Sequence, residues 1–292
     1  MKKIVYTLLL VSLACTSCKF AKNETPTRGA TTIMVDETFS PMIEGQAEMF
    51  ESRYKYAALE IAVHPEQEIV QLLTQDTSRI AILSRNLTAG EQAYFEQKNI
   101  IPRVTGIAFD AIALIVNKNV QDSVISQTEL QNLLKGSSNS SKYDLVFDNA
   151  KSSTVQYMMH FADVETLPKN VYAVAGNRDM LRYVAEHNDV IGFVGLNWLY
   201  EPDTDLQQYV DKVKVLAISA ANGSYKPTQQ HIASGNYPFI RKISIINCQG
   251  SAGLGLGFAS FMASEVGQRI VLKSGLAPVR YPEYKVQVRK QL

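Results

Sequence analysis

The chain has 292 residues, of which 46% are hydrophobic and 20% are charged. These values are typical of globular proteins and exclude a disordered chain, a collagen and a disulfide-stabilised miniprotein. The 29 Lys and Arg residues nearly balance the 28 Asp and Glu residues, for a net charge of +1. A near-neutral chain has no general electrostatic reason to bind nucleic acid, so we expect any charged partner to be small and held by local geometry.

The first residues predict an export signal. Lys2 and Lys3 precede an apolar run over 4–14, which is too short to span a bilayer but suits the core of a signal peptide. The run ends in Ala-Cys-Thr-Ser-Cys, and small residues before a cysteine are typical of lipoprotein cleavage sites. We therefore predict a signal peptide over 1–17, lipidation at Cys18 and a tether over 18–28. Cys15 is the alternative lipidation site, and an ordinary cleaved signal is the competing interpretation.

The predicted signal peptide and lipidation site indicate a protein of the cell envelope, anchored by lipid on the periplasmic or extracellular face. With Cys18 lipidated, the mature chain keeps Cys248 alone, which allows neither an intramolecular disulfide nor a cysteine metal site. The four histidines are scattered and have no zinc-ligand spacing. No nucleophile–base pair stands out, so we expect no catalytic residues, no metal, no cofactor and no enzyme activity.

Strands and helices alternate along the chain. The pattern predicts strands over 31–35, 59–63, 80–83, 107–116, 171–174, 190–194, 213–218 and 243–246. It predicts helices with the N-caps Ser40, Thr88, Ser126, Ser153 and Asn177, of which Thr88 forms a capping box with Glu91. It also predicts a helix that begins at Pro65 and a last long helix over 257–273. Such alternation favours mostly parallel sheets with helices on both faces, in which ligands bind beyond the carboxyl ends of strands.

Three hydroxyl-rich loops lie where this architecture places a ligand. Each loop precedes or opens a helix and offers hydroxyl groups beside free backbone N–H groups at the positive end of the helix dipole. Converging loops of this kind would hold a small oxyanion with neutral donors, and an arginine would add charge-assisted bonds. Taken singly, each hydroxyl is more simply explained as a helix cap. The candidate contacts are Thr38, Phe39, Ser40, Ser84, Arg85, Ser152, Ser153 and Thr154.

Several segments, taken together and in order, resemble a known family. They are Asp-Glu-Thr-Phe-Ser-Pro at 36–41, Arg-Ile-Ala-Ile-Leu-Ser-Arg at 79–85 followed by Leu87-Thr88 and Glu91, and the stretches 110–118, 152–154, 190–194, 237–241, 267–270 and 275–279. Over about residues 30–280 the chain resembles the PstS-like substrate-binding lipoproteins of phosphate-type ABC importers, which are type 2 periplasmic binding proteins.

The resemblance implies an α/β fold of two lobes, each built on a mixed sheet flanked by helices, with the ligand cleft between them. It implies a first lobe of residues 29–113 and 237–292 and a second lobe of residues 114–236, with crossing strands near 107–116 and 237–243. The implied function is hinge closure over phosphate or a similar small oxyanion and delivery to an ABC permease in the membrane. We expect a monomer.

The sequence departs from the phosphate-binding pattern within its motifs. Arg85 stands where the family has an aspartate, Asp148 where it has an arginine, and Ser153 where it has a glycine. His-Pro-Glu-Gln-Glu at 64–68 replaces a glycine-rich loop, so Glu66 and Glu68 would oppose phosphate unless they point away. Either the acidic and basic partners are exchanged between the lobes, or Lys151 supplies the cation and Asp148 lies outside the cleft. The alternative function is a non-transport sensor or interaction lipoprotein with a degenerate cleft.

Overall fold

The computed structural model describes residues 24–75, 79–137 and 142–283. The predicted signal peptide, both candidate lipidation sites and the tether up to residue 23 lie outside the described residues. The predicted tether ends one residue too late, because Arg28 already belongs to the first strand. No described helix combines the length and the apolar character needed to cross a membrane.

The described residues form an α/β structure. Its strands are β1 (Arg28–Asp36), β2 (Tyr56–His64), β3 (Ile80–Leu83), β4 (Arg103–Asn117), β5 (Val124–Ser126), β6 (Asp144–Phe147), β7 (Val171–Ala173), β8 (Val190–Gly195), β9 (Val213–Val215), β10 (Ala217–Ala220), β11 (Gly223–Tyr225), β12 (Ile240–Asn247) and β13 (Ala277–Pro278). Its α-helices are α1 (Ser40–Arg53), α2 (Glu66–Thr74), α3 (Ala89–Gln97), α4 (Gln127–Leu134), α5 (Ser153–Ala162), α6 (Asn177–Glu186), α7 (Thr204–Val210), α8 (Gln229–Ala233), α9 (Leu254–Met262) and α10 (Glu265–Lys273).

One long strand joins two halves of a continuous mixed sheet. The strand order is β2-β1-β3-β12-β4-β8-β6-β7. The first half of β4 pairs with β12, and its second half pairs with β8 and β9. We call the half with β1–β3 and β12 the first lobe and the half with β6–β8 the second lobe, each with its flanking helices. The predicted α/β fold with mixed sheets is confirmed.

The alternation of strands and helices predicts mostly parallel sheets, but in the main sheet of the described residues only the outer strands pair in parallel. β1 runs parallel to β2 and β3, and β6 runs parallel to β7 and β8. In contrast, β12 is antiparallel to both β3 and β4, and β4 is antiparallel to β8. The central strands therefore carry the chain between the lobes, and the parallel βαβ units lie to either side. The strands of each unit end at the same edge of the sheet, and the candidate loops begin at that edge.

Three predicted N-caps are wrong by one residue. Ser40, Ser153 and Asn177 are each the first residue inside their helix rather than the cap. Ser152 caps α5 instead, because it has the extended backbone of a cap (ψ 160°) and its hydroxyl accepts the N–H of Val155 at 3.3 Å. The capping box from Thr88 to Glu91 is confirmed, with both reciprocal bonds present.

Two predicted elements are each divided in the structure. The predicted helix over 257–273 is two helices, because the Ser264 hydroxyl accepts the N–H of Gly267 and starts a new helix there. Gly267 also lies against backbone carbonyls of the preceding helix, where a Cβ would be 2.5 Å from the Met262 oxygen. The predicted strand over 213–218 divides into β9, which pairs with β4, and β10, which pairs with β5 and β11 in a separate three-stranded sheet.

Candidate functional site

The predicted loops of the two lobes meet in a buried cleft. Thr38 follows β1 in the first lobe, and Ser153 opens α5 in the second. The hydroxyl oxygens of Thr38 and Ser153 are 3.5 Å apart, and both side chains are buried. Two of the predicted hydroxyl-rich loops, one from each lobe, therefore contact each other in the cleft.

A carboxylate occupies the centre of this cleft. Asp36, the last residue of β1, is fully buried. Its Oδ1 accepts the N–H of Thr38 at 2.9 Å, and its Oδ2 accepts the N–H groups of Glu66 at 2.9 Å and Ser153 at 3.1 Å. Glu66 and Ser153 are the first residues of α2 and α5, so two helix N-termini point at one carboxylate. Asp36 thus receives two main-chain donors of the predicted oxyanion loops, those of Thr38 and Ser153, and in addition the N–H of Glu66.

A second carboxylate, that of Glu66, accepts hydrogen bonds from the loop after β3. Oε2 of Glu66 accepts both the N–H and the hydroxyl of Ser84, each at 2.9 Å. Glu66 is 3% exposed, so the glutamate points into the protein rather than away from the cleft. Burial raises the pKa of Glu66 and the nearby Asp36 raises it further, although the bonds from Ser84 act in the opposite direction.

Arg85 lies at the edge of this arrangement. Its guanidinium makes two 2.9 Å bonds to the carboxylate of Glu91, and its Nε is 3.7 Å from Glu66. The side chain is 37% exposed. In the part of the chain that the structure describes, Arg85 has no hydrogen bond to Thr38 or to residues 152–154. Its contacts hold the start of α3 to the first lobe.

Asp148 lies inside the cleft. This fully buried side chain accepts the Ser152 hydroxyl at 2.7 Å, the Asn177 amide at 3.2 Å and the Thr38 hydroxyl at 3.4 Å. Burial, and then the charge of Asp36, raises the pKa of Asp148 to about 7. The alternative that Asp148 lies outside the cleft is wrong.

Lys151 does not supply the cation for the cleft. Its ammonium pairs with Glu68 at 2.9 Å, and the two side chains are 57% and 39% exposed. The pair therefore links α2 to the loop before α5 at the surface. Glu68 points away from the cleft, whereas Glu66 points into it.

Arg241 is a cation of the cleft that the sequence did not predict. This residue of β12 is buried, and its guanidinium donates to the hydroxyls of Ser153 at 3.0 Å and Thr154 at 3.2 Å. It also forms an ion pair with Asp110 and lies over the ring of Phe39, 5.0 Å from its centroid. Arg241 and Asp110 are register partners in β12 and β4. Asp110, the one charged residue of the predicted apolar strand over 107–116, was the signal that could have predicted a buried cation as its partner.

A further carboxylate of the first lobe reaches the second. Oε1 of Glu37 accepts the N–H of Asn177, the first residue of α6, at 2.9 Å. Burial raises the pKa of Glu37, against the effect of this hydrogen bond. The N-termini of α2, α5 and α6 therefore all donate to carboxylates of the chain itself.

An acidic groove of about 560 Å³ opens beside the cleft between the lobes. Burial and the neighbouring Glu48 raise the pKa of Glu44 on its wall. Arg178 also lines the groove, but it pairs with Asp203. This electrostatic environment disfavours the approach of an anion. The acidic residues of the groove are Glu37, Glu44, Glu48, Glu201 and Asp203.

No group of three or more His, Cys, Asp or Glu side chains within the described ranges is placed to hold a metal ion. The buried Cys248 is a free thiol, and burial raises its pKa to about 12. The polar groups of the cleft include carboxylates, hydroxyls, main-chain N–H groups, the Asn177 amide and the paired Arg241. Several of these groups form hydrogen bonds that join the two lobes.

Two lobes on a shared mixed sheet, joined by β4 and with helix N-termini facing the cleft, define the fold of type 2 periplasmic binding proteins. Residues 21–266 match the model of the PBP superfamily domain, and the chain belongs to this family. No curated protein matches the chain.

Solved structures share this fold at low sequence identity. One is a Clostridium perfringens protein assigned as a phosphate ABC transporter substrate-binding protein, solved with bound phosphate (20% identity, TM-score 0.73, 86% of this chain and 100% of that chain covered). Another is an ABC-type phosphate transport receptor from Vibrio cholerae (19%, 0.66, 86% and 100%). A third is the OxyR2 regulatory domain from Vibrio vulnificus (10%, 0.54, 81% and 94%). The fold is therefore shared by transport receptors and a regulatory domain.

Proposed function

We propose that this chain is a lipid-anchored, extracytoplasmic binding protein that serves as a sensor or interaction lipoprotein and does not carry oxyanions. The lobes are those inferred from the sequence, residues 29–113 with 237–292 and residues 114–236. Membership of the binding-protein family supports the class, and the predicted signal peptide supports the location.

The position of Asp36 carries this proposal. Its carboxylate takes three main-chain N–H groups in the cleft, at 2.9–3.1 Å. An oxyanion at the same place would need those donors, and Glu66 already uses the donors of Ser84. The chain therefore fills its own anion site.

The charge of the cleft supports the same conclusion. Asp36, Glu66 and Asp148 are buried there, whereas Arg241 is paired with Asp110 and Arg85 with Glu91. Two like unit charges ~5 Å apart repel by about 3 kcal/mol at an effective dielectric constant of 20. A phosphate dianion in the cleft would meet this cost at each carboxylate that is ionised there, and the acidic groove adds to it.

The second candidate is the carrier function, in which the protein binds phosphate or a similar small oxyanion and delivers it to an ABC permease. Two observations favour it. Main-chain donors of both lobes converge with the hydroxyls of Ser153 and Thr154 near the Arg241 guanidinium. The Clostridium perfringens structure of the same fold contains phosphate. In this case the oxyanion displaces Asp36 when the lobes open.

Thermal unfolding in the presence of phosphate, sulfate, molybdate and tungstate separates the two candidates. A ligand at 100 times its Kd stabilises the folded state by about 2.7 kcal/mol, which corresponds to a rise in Tm of roughly 5–10 °C. We expect no rise with any of the four anions at millimolar concentration. A rise with one anion, matched by one-to-one binding in calorimetry, would establish the carrier function instead.

The anchor is tested separately by cysteine substitution. We expect Cys18→Ala to release the protein from the membrane fraction and Cys15→Ala to leave it there. The opposite pattern would assign the lipid to Cys15. Release by neither substitution, with no lipid on the mature N-terminus in mass spectrometry, would show an ordinary cleaved signal.

A further inference from the structure

We infer that Asp36 and Glu37 act as a built-in ligand that keeps the two lobes closed without any bound cargo. The inference deepens the proposed function, on which it rests, by naming what holds the cleft in its closed form. In a binding protein that closes over cargo, the ligand bridges the two lobes. Here side chains of the first lobe make that bridge.

Two consecutive residues supply the bridge. Asp36 accepts the N–H of Ser153 at 3.1 Å, and Glu37 accepts the N–H of Asn177 at 2.9 Å. These donors are the first residues of α5 and α6 in the second lobe. Each bond pairs a carboxylate with a helix N-terminus, where a negative charge is most favourable. The end of β1 therefore binds two helices of the second lobe as an oxyanion would.

Contacts of the next residue extend the same interface. The Thr38 hydroxyl donates to Asp148 at 3.4 Å, and the indole N–H of Trp198 donates to the Thr38 carbonyl at 3.1 Å. Residues 36–38 thus form one continuous strip against the second lobe. We call residues 36–38 the closing strip.

Glycines in the second lobe make room for the closing strip. A Cβ on Gly195 would lie 2.6 Å from Cγ2 of Thr38 and 3.0 Å from its carbonyl oxygen. A Cβ on Gly176 would lie 2.6 Å from a carboxylate oxygen of Glu37. Gly195 has φ −63°, which alanine adopts without strain, so its lack of a side chain serves this close approach. The second lobe is therefore shaped to fit the closing strip itself.

Small-angle X-ray scattering of the purified chain tests the inference, with phosphate as the probe ligand. We expect the native protein to give the compact radius of gyration of the closed form without ligand, unchanged when phosphate is added. Asp36→Ala removes the central carboxylate and is expected to enlarge the particle. Asp203→Ala is the matched control, because Asp203 also accepts a helix N–H, that of Leu206, but within one lobe. This control is expected to leave the radius unchanged.

Two further variants keep the test valid if Asp36→Ala fails to fold. Ser153→Pro removes the interlobe N–H at the first position of α5, where proline is tolerated, and Ser152 already has the extended backbone that a following proline requires. Gly195→Ala inserts a methyl group against Thr38. We expect both to open the protein and to accelerate amide exchange at Asn177 at least ~10-fold, about 1.4 kcal/mol.

The outcomes distinguish this inference from the proposed function. A native protein that is expanded without ligand, or folded variants that stay as compact as the native chain, would overturn the inference. If the native protein is closed without ligand and still binds phosphate in calorimetry, the built-in ligand stands and the non-transport function is wrong. If it is open and binds no oxyanion, the reverse holds.

Discussion

Asp148 is expected to make the folded protein less stable as the pH rises from about 5 to about 8. Burial and the charge of Asp36 raise its pKa from 3.8 to about 7. Below the lower value the carboxyl is protonated in both the folded and the unfolded chain. As the pH rises, the unfolded chain releases its proton first, so stability is lost until the pH passes the folded value near 7.

The size of this effect follows from the two pKa values of Asp148. The difference between 3.8 and about 7 corresponds to about 4 kcal/mol, at ~1.4 kcal/mol for each pH unit. About two of those units lie between pH 5 and pH 7, so the free energy of unfolding is expected to fall by about 2–3 kcal/mol over that interval. Glu66 and Glu37, whose pKa values are also raised, act in the same direction.

Urea unfolding of the native chain and of Asp148→Asn at about pH 5 and pH 8 measures this dependence. We expect the variant to lose the part of the change that belongs to Asp148, about 2–3 kcal/mol, because its amide does not titrate. Glu91→Gln is the control. Arg85 lowers the pKa of Glu91, so this carboxylate is ionised at both pH values and its loss leaves the pH dependence intact. A native stability that rises from pH 5 to pH 8, or an Asp148→Asn variant with the native pH dependence, would show that Asp148 does not titrate with a raised pKa.

Three other substitutions test particular contacts. Arg85→Ala is expected to lower stability by about 1 kcal/mol through loss of the bond pair to Glu91, with no oxyanion-dependent change in melting; a variant that melts like the native chain would contradict this. Arg241→Met leaves Asp110 buried and unpaired and is expected to cost about 3–5 kcal/mol in urea unfolding, whereas Arg241→Met with Asp110→Leu restores most of it. Equal losses in the single and double variants would show that the ion pair is not the cause. Ser264→Ala removes the cap that separates α9 from α10 and is expected to cost about 1 kcal/mol; no loss in thermal melts would mean that Gly267 alone breaks the helix.

The sequence predicts the fold through its repeated pattern of apolar strands and capped helices. The strand 80–83 and the capping box from Thr88 to Glu91 agree with the structure. These features are local, since they depend on residues three or four apart. Where hydroxyls follow one another, as in the run from Ser152 to Thr154, local rules do not choose the cap. The backbone angle of Ser152 decides it.

The polar interior of the cleft was harder to predict, because its partners lie far apart in the chain. Asp36 binds Ser153, and Glu66 binds Ser84, across separations of 117 and 18 residues. The sequence identified the hydroxyl-rich loops, and it identified Glu66 and Asp148 as acidic residues that depart from the phosphate-binding pattern. It did not show that carboxylates of the chain accept the hydrogen bonds of those loops, because the bond from Ser153 to Asp36 forms only where the two lobes approach each other.

Arg85 shows the limit of transferring a position from a resemblance. The motif placed it where a cleft residue would lie, and it does follow β3. Its long side chain instead turns to Glu91, which the capping box has already fixed six residues later. A bidentate partner on the same lobe is reached at a smaller entropic cost than a partner across the cleft. Its role as a ligand contact remains a prediction that Arg85→Ala tests.

Calorimetric titration of the native protein with phosphate at neutral pH measures whether the chain's own carboxylates occupy the oxyanion site. We expect no binding heat up to millimolar phosphate, since Asp36 and Glu66 hold the donors that phosphate needs. One-to-one binding at micromolar phosphate would contradict this expectation and show that the cleft carries an oxyanion.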